Sequence, residues 1–82
     1  MLSDNKIEIA IQSKVIYLTK KIMQSENCNE EIAYKNLMNT KIYEILLNKE
    51  SGLYLEPAEF VVEAYELERG SSIEDMIKFI NS

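Results

Sequence analysis

Ile7, Ile11, Val15, Leu18 and Ile22 follow one another at spacings of four, four, three and four. Helical residues advance by about 100° each, so these five share one face. The spacing predicts an amphipathic helix whose ridge enters a core. Ser3 or Asp4 caps its start, because a side-chain oxygen there accepts a free first-turn N–H, and it runs to about Gln24. The same helix carries a second ridge. Ile9, Ile16 and Met23 recur every seven residues, with Gln12 and Thr19 between them, at roughly 120–160° from the first. Two ridges mean either a central helix covered on both sides or one ridge left for self-association, and periodicity leaves both readings open.

The pattern then breaks at Ser25–Asn29 and resumes. Asn27 with Glu30 makes a capping box, and Asn29 is an equal candidate for the cap. A short helix, Glu30–Met38, follows with Ile32, Ala33, Leu37 and Met38 apolar. Asn39 or Thr40 caps a third, Lys41 to about Lys49, with Ile42, Ile45, Leu46 and Lys49 on one face and Tyr43 and Leu47 beside it. Gly52 ends it, since glycine takes positive φ without steric cost. Leu53-Tyr54-Leu55-Glu56 alternates and precedes Pro57, which disfavours helix at the residue before it. It reads as an extended connector with Leu53 and Leu55 on one side and Tyr54 and Glu56 on the other.

Pro57 suits the first turn of a fourth helix, which stops at Gly70. Its polar stripe, Glu59, Glu63 and Glu66, is narrow. Phe60, Val61, Val62, Ala64, Tyr65 and Leu67 fill most of the remaining circumference, as in a central helix or one that meets a partner. Ser71–Glu74 and Ser72–Asp75 are overlapping capping boxes for a last helix, Ile73–Ile80, expected to bury Ile73, Met76, Ile77 and Ile80. The expected fold over residues 1–82 is a single all-α domain, a small bundle of four to five helices in orthogonal packing. The four-helix version joins the second and third helices.

Composition narrows the function classes. Net charge is −5 and uneven. Residues 1–49 carry seven Lys against six acids, and residues 50–82 carry two basic residues against eight acids. Such a half repels phosphate backbones and anionic lipid, which argues against nucleic acid and membrane surfaces as main partners. A small DNA-linked regulator using Lys14, Lys20 and Lys21 is the alternative. The start MLSDNKIEIA lacks a basic region followed by an apolar run, and no segment approaches a membrane span, so a cytoplasmic chain is expected. Cys28 stands alone, without an intrachain disulfide partner. Eleven Ile, seven Asn and eight Lys suggest an AT-rich bacterial genome.

The chain has no His, which removes the commonest general base and metal ligand. Its two glycines cannot build a phosphate-cradling loop. No enzyme activity, cofactor or small-molecule substrate is therefore expected. Glu59, Glu63 and Glu66 could serve a hard cation as a carboxylate metal-binding row, or a partner as an acidic stripe. Tyr54, set opposite the two Leu on the connector, is the candidate aromatic anchor. Ile9, Ile16, Met23, Tyr54, Glu59, Glu63 and Glu66 form the candidate partner-binding set, for a protein partner or a homodimer.

Thr40-Lys41-Ile42-Tyr43, Leu46, Ser51-Gly52-Leu53-Tyr54-Leu55-Glu56 and Tyr65-Glu66-Leu67-Glu68 together resemble a pattern in short helical bacterial proteins, T-x-x-Y-x-x-L … T-G-L-Y-x-x … Y-x-x-E. Their genes often lie near toxin-like genes or mobile elements. The resemblance covers under half of the chain, and Ser51 stands where Thr is expected. It carries no catalytic residue. It implies an accessory or antitoxin-like regulator that acts by contact.

Overall fold

Ser3, Asn29, Thr40 and Ser72 each accept a backbone N–H three residues ahead, at 3.4, 2.9, 3.2 and 3.0 Å. These caps set the starts of α1 (Asp4–Glu26), α2 (Glu30–Met38), α3 (Lys41–Leu47) and α5 (Ile73–Ile80). The computed structural model describes residues 3–82. Between α2 and α3 the chain turns through Asn39 and Thr40, so the five-helix reading holds and the four-helix version does not. Asn27 does not cap α2. It closes α1 in the left-handed conformation, φ 51°, with its N–H returned to the Met23 carbonyl. α4 (Ala58–Gly70) has no side-chain cap. The Pro57 carbonyl opens it by accepting the N–H groups of Phe60 and Val61.

The segment read as an extended connector is helical. Two single turns of 3₁₀ helix, Lys49–Ser51 and Leu53–Leu55, flank Gly52 at φ 72°. The Ser51 hydroxyl donates toward the carbonyls of Ile45 and Asn48 and accepts the Leu53 N–H, which ties the corner to the end of α3. Three residues per turn place Leu53 and Leu55 on different sides, where alternation would place them on one. Leu53 is accordingly buried and Leu55 is 66% exposed. Only Glu56, before Pro57, is extended.

α4 is the centre of the bundle, packed by α1, α3 and α5. Its wide apolar arc is covered within the chain: Val61, Val62, Ala64 and Tyr65 are all buried. α1 packs on α2, on α4 and on the second 3₁₀ turn. These neighbours bury its first ridge, Ile11, Val15, Leu18 and Ile22, with Ile7 at the margin. The core continues through Ala33 and Leu37 of α2, Ile42 and Leu46 of α3, Leu53, and Met76. The radius of gyration, 12.3 Å, is close to the roughly 12 Å of a compact domain this long. The core is thus completed within one chain.

α5 is rolled relative to the expectation. Met76 is buried and Phe79 and Ile80 pack on the core, but Ile73 and Ile77 face outward. Phe79 lies at one flank of the apolar stripe and stacks on Phe60 of α4, with centroids 4.8 Å apart. Burying that ring turns the opposite flank, Ile73 and Ile77, away from the core.

Candidate interaction surface

The Thr40–Glu68 pattern is a fastening, built from residues that hold α3 and α4 to the rest of the bundle. The Glu68 carboxylate accepts the N–H groups of Lys41 and Ile42 at 2.7 and 2.8 Å. The Thr40 hydroxyl accepts that of Tyr43 and donates to the Leu37 carbonyl at 2.6 Å. The first three N–H groups of α3, unpaired within any helix, are thus all satisfied. Tyr65, buried on α4, donates its hydroxyl to Glu26 at the end of α1 at 2.9 Å. Glu26 also accepts from Asn36 of α2 at 2.9 Å and pairs with Arg69 at 3.5 Å. One carboxylate therefore joins α1, α2 and α4.

Sequence periodicity misses both acids as connectors, yet it holds the signal. Glu26 lies four residues beyond Ile22, on the buried ridge of α1. Glu68 lies four beyond Ala64 and seven beyond Val61, on the buried side of α4 and opposite the Glu59, Glu63, Glu66 stripe. A charge in a core register must be paired.

These contacts fix a pH dependence. Burial, then the hydrogen bond to Glu26, pushes the Tyr65 hydroxyl well above the ordinary tyrosine value. The hydrogen bond with Tyr34, then burial, pushes Tyr43 up to about 12. Both folded-state values exceed the unfolded value of about 10, so the folded state retains protons that the unfolded chain releases. Their stabilisation is present in full below about pH 10 and is lost as pH rises beyond it. Urea midpoints are expected to be flat across neutral pH, within these two groups' contribution, and to fall from about pH 10 upward. Tyr65→Phe should flatten that fall, and an unchanged slope in this variant would remove the assignment.

The outer face of α1 carries two of the molecule's exposed apolar side chains. Ile9 is 59% and Ile16 55% exposed. Met23, third in the row, packs against the core instead. A seven-residue row drifts about 20° per heptad on a straight helix, which turns Met23 toward the buried side. Ile16 borders a groove of about 510 Å³ between α1 and α2. Gln12, Val15, Thr19 and Lys20 line one wall with Ile16, and Glu30, Glu31 and Tyr34 the other. Thr19 donates its hydroxyl to the Val15 carbonyl at 2.8 Å, so its polar group is satisfied within its own wall.

The remaining candidates lie elsewhere. Tyr54 is half-buried and packed on the core, and Leu55 takes the exposed position beside it. The 3₁₀ turn sets Tyr54, the expected anchor, at the edge of the core. Glu59 accepts a hydrogen bond from Tyr17 on α1. Glu63 and Glu66 are exposed at a shallow depression near Gly70. Among the described residues no three His, Cys, Asp or Glu side chains gather as a metal site requires. Lys21 lies over the Tyr17 ring at 5.5 Å, and Lys14 is half-buried. Lys20 alone of that trio lines the groove. Cys28 is half-buried against the core, with Sγ 4.0 Å from the Ile22 carbonyl. Among the described residues no helix is long and apolar enough to cross a membrane.

Comparison with protein-family models, curated proteins and solved structures found no match.

Proposed function

We propose that the chain is a protein-interaction module that acts by contact through the outer face of α1 and the groove beside it. The observation that carries this is the exposure of Ile9 and Ile16 on the longest helix of a chain whose core is already closed. Scattered apolar side chains are ordinary on a surface, but an apolar pair beside a groove rimmed by Gln12, Lys20, Glu30 and Glu31 is a mark of a contact site. α4 supplies the contrast. Its surplus of apolar residues is consumed by α1, α3 and α5, so it leaves no comparable row for a partner. The accessory or antitoxin-like role implied by the resemblance fits a contact surface without catalytic groups. The Thr40–Glu68 pattern itself acts as scaffold in this reading, and the partner is met elsewhere.

The test is affinity capture from the native host with tagged wild-type chain and tagged Ile16→Glu. Ile16→Glu should retain the helical spectrum and thermal midpoint, because the side chain is 55% exposed. It should lose most of the captured protein, including untagged copies of the chain itself. Equal capture by both forms would remove this face as the contact site.

A further inference from the structure

We infer that the occupant of this face is a second copy of the chain, whose α1 lies antiparallel on the first with the two-fold axis at Ile16. The inference rests on the contact reading above and names its partner.

Charge selects the face. Two copies of a chain with net charge −5 repel on most approaches. The repulsion is concentrated in residues 50–82, with two basic residues against eight acids. Contact through α4 would oppose Glu59, Glu63 and Glu66 to their own copies. The outward Ile73 and Ile77 of α5 stand beside Glu74 and Asp75. α1 carries four Lys against three acids, and the α2 wall adds Glu30 and Glu31, so the face is close to neutral and two copies can meet there with little like-charge cost.

Register selects the orientation. In a two-fold interface, residue i meets j and j meets i. Ile9 and Met23 lie seven residues either side of Ile16, and Gln12 and Lys20 lie four either side. An antiparallel axis at Ile16 pairs Ile16 with itself, Ile9 with Met23, and the Lys20 ammonium with the Gln12 amide oxygen. A parallel arrangement would place Lys20 against Lys20 and leave Gln12 against Gln12. The antiparallel match sets each exposed Ile9 against the half-buried edge of Met23 and opposes no like charges along α1. α1, 23 residues long, extends about 35 Å. Its outer face is narrow, so the groove wall on α2 joins the contact, and the dimer is expected at the weak end of specific association.

The test has two readouts on the full chain. Light scattering from micromolar to millimolar concentration should show the mass rise from 9.5 kDa toward twice that value. Ile16→Glu should hold it at the single-chain mass with an unchanged helical spectrum. In a Cys28→Ala background, Ile16→Cys should form a disulfide dimer on mild oxidation. Ile9→Cys should form little alone but cross-link to Met23→Cys when the two are mixed. A single-chain mass at every concentration overturns the inference. So does Ile9→Cys cross-linking to itself as readily as Ile16→Cys, which would mean a parallel pair. If the mass never doubles while Ile16→Glu still loses captured host proteins, the second copy is wrong and the contact reading survives. If the mass doubles, Ile16→Glu abolishes it and the position-16 cross-link forms, both stand.

Discussion

Glu68→Ala is expected to cost about 2–3 kcal/mol of folding stability, whereas Glu63→Ala and Glu66→Ala, on the same helix, should each cost less than about 0.5 kcal/mol. The difference follows from where each carboxylate points. Glu63 and Glu66 are exposed. Glu68 is half-buried and accepts two backbone N–H groups of α3, at 2.7 and 2.8 Å. Hydrogen bonds to a charged acceptor contribute about 1.5–3 kcal/mol each in favourable settings. Water that reaches the freed N–H groups recovers part of that loss, which sets the total nearer one such bond than two. The carboxylate also sits at the positive end of α3, a further small gain. Glu68→Gln keeps one acceptor oxygen but turns an amide N–H toward a donor, so it should fall between Glu68→Ala and wild type. Thr40→Ala, which removes the local cap, should cost about 1 kcal/mol. Urea denaturation of the set gives the order directly, and equal losses for Glu68→Ala and Glu66→Ala would mean that the tertiary cap contributes nothing.

The same pair of glutamates marks the limit of what periodicity conveys. Caps such as Asn29, Thr40 and Ser72 act within three residues, so short-range spacing specifies where α2, α3 and α5 begin. The buried ridge of α1 is equally legible, because one face of one helix encodes it. Contacts between Glu68 and Lys41 or between Glu26 and Tyr65 join distant positions, and no local pattern states the pairing. What the chain does display is each acid in a core register, which says that a partner exists without naming it. α5 is misjudged for a related reason. Its stripe is symmetric in sequence, and only Phe60, on another helix, decides which flank turns inward. The corner fails differently: alternation over four residues fits an extended connector, but Gly52 in a left-handed conformation and the Ser51 hydroxyl bonds wind it into a 3₁₀ turn. The candidate surface is half legible. Ile9 and Ile16 lie where the second ridge puts them. The groove beside Ile16 depends on how α2 folds back along α1, which periodicity does not give.

Leu46→Ala should be the most damaging of the single changes, at about 3–4 kcal/mol, against less than about 0.5 for Leu47→Ala one residue later. Leu46 is fully buried and Leu47 is 43% exposed. A domain this size is stable by roughly 4–12 kcal/mol, so the first variant loses a large fraction and should melt many degrees lower. The cost is high because α3 is seven residues long and helices this short are not stable on their own. Two sets of attachments hold it in place: Ile42 and Leu46 in the core, and Glu68 with Thr40 at its first turn. If either set is removed, α3 loosens and the other set is weakened with it. Leu46→Ala combined with Glu68→Gln should therefore cost less than the sum of the two single changes, with a coupling of about 0.5–1 kcal/mol. Strict additivity would mean that the core contacts and the carboxylate cap hold α3 independently, and that it does not undock as a unit.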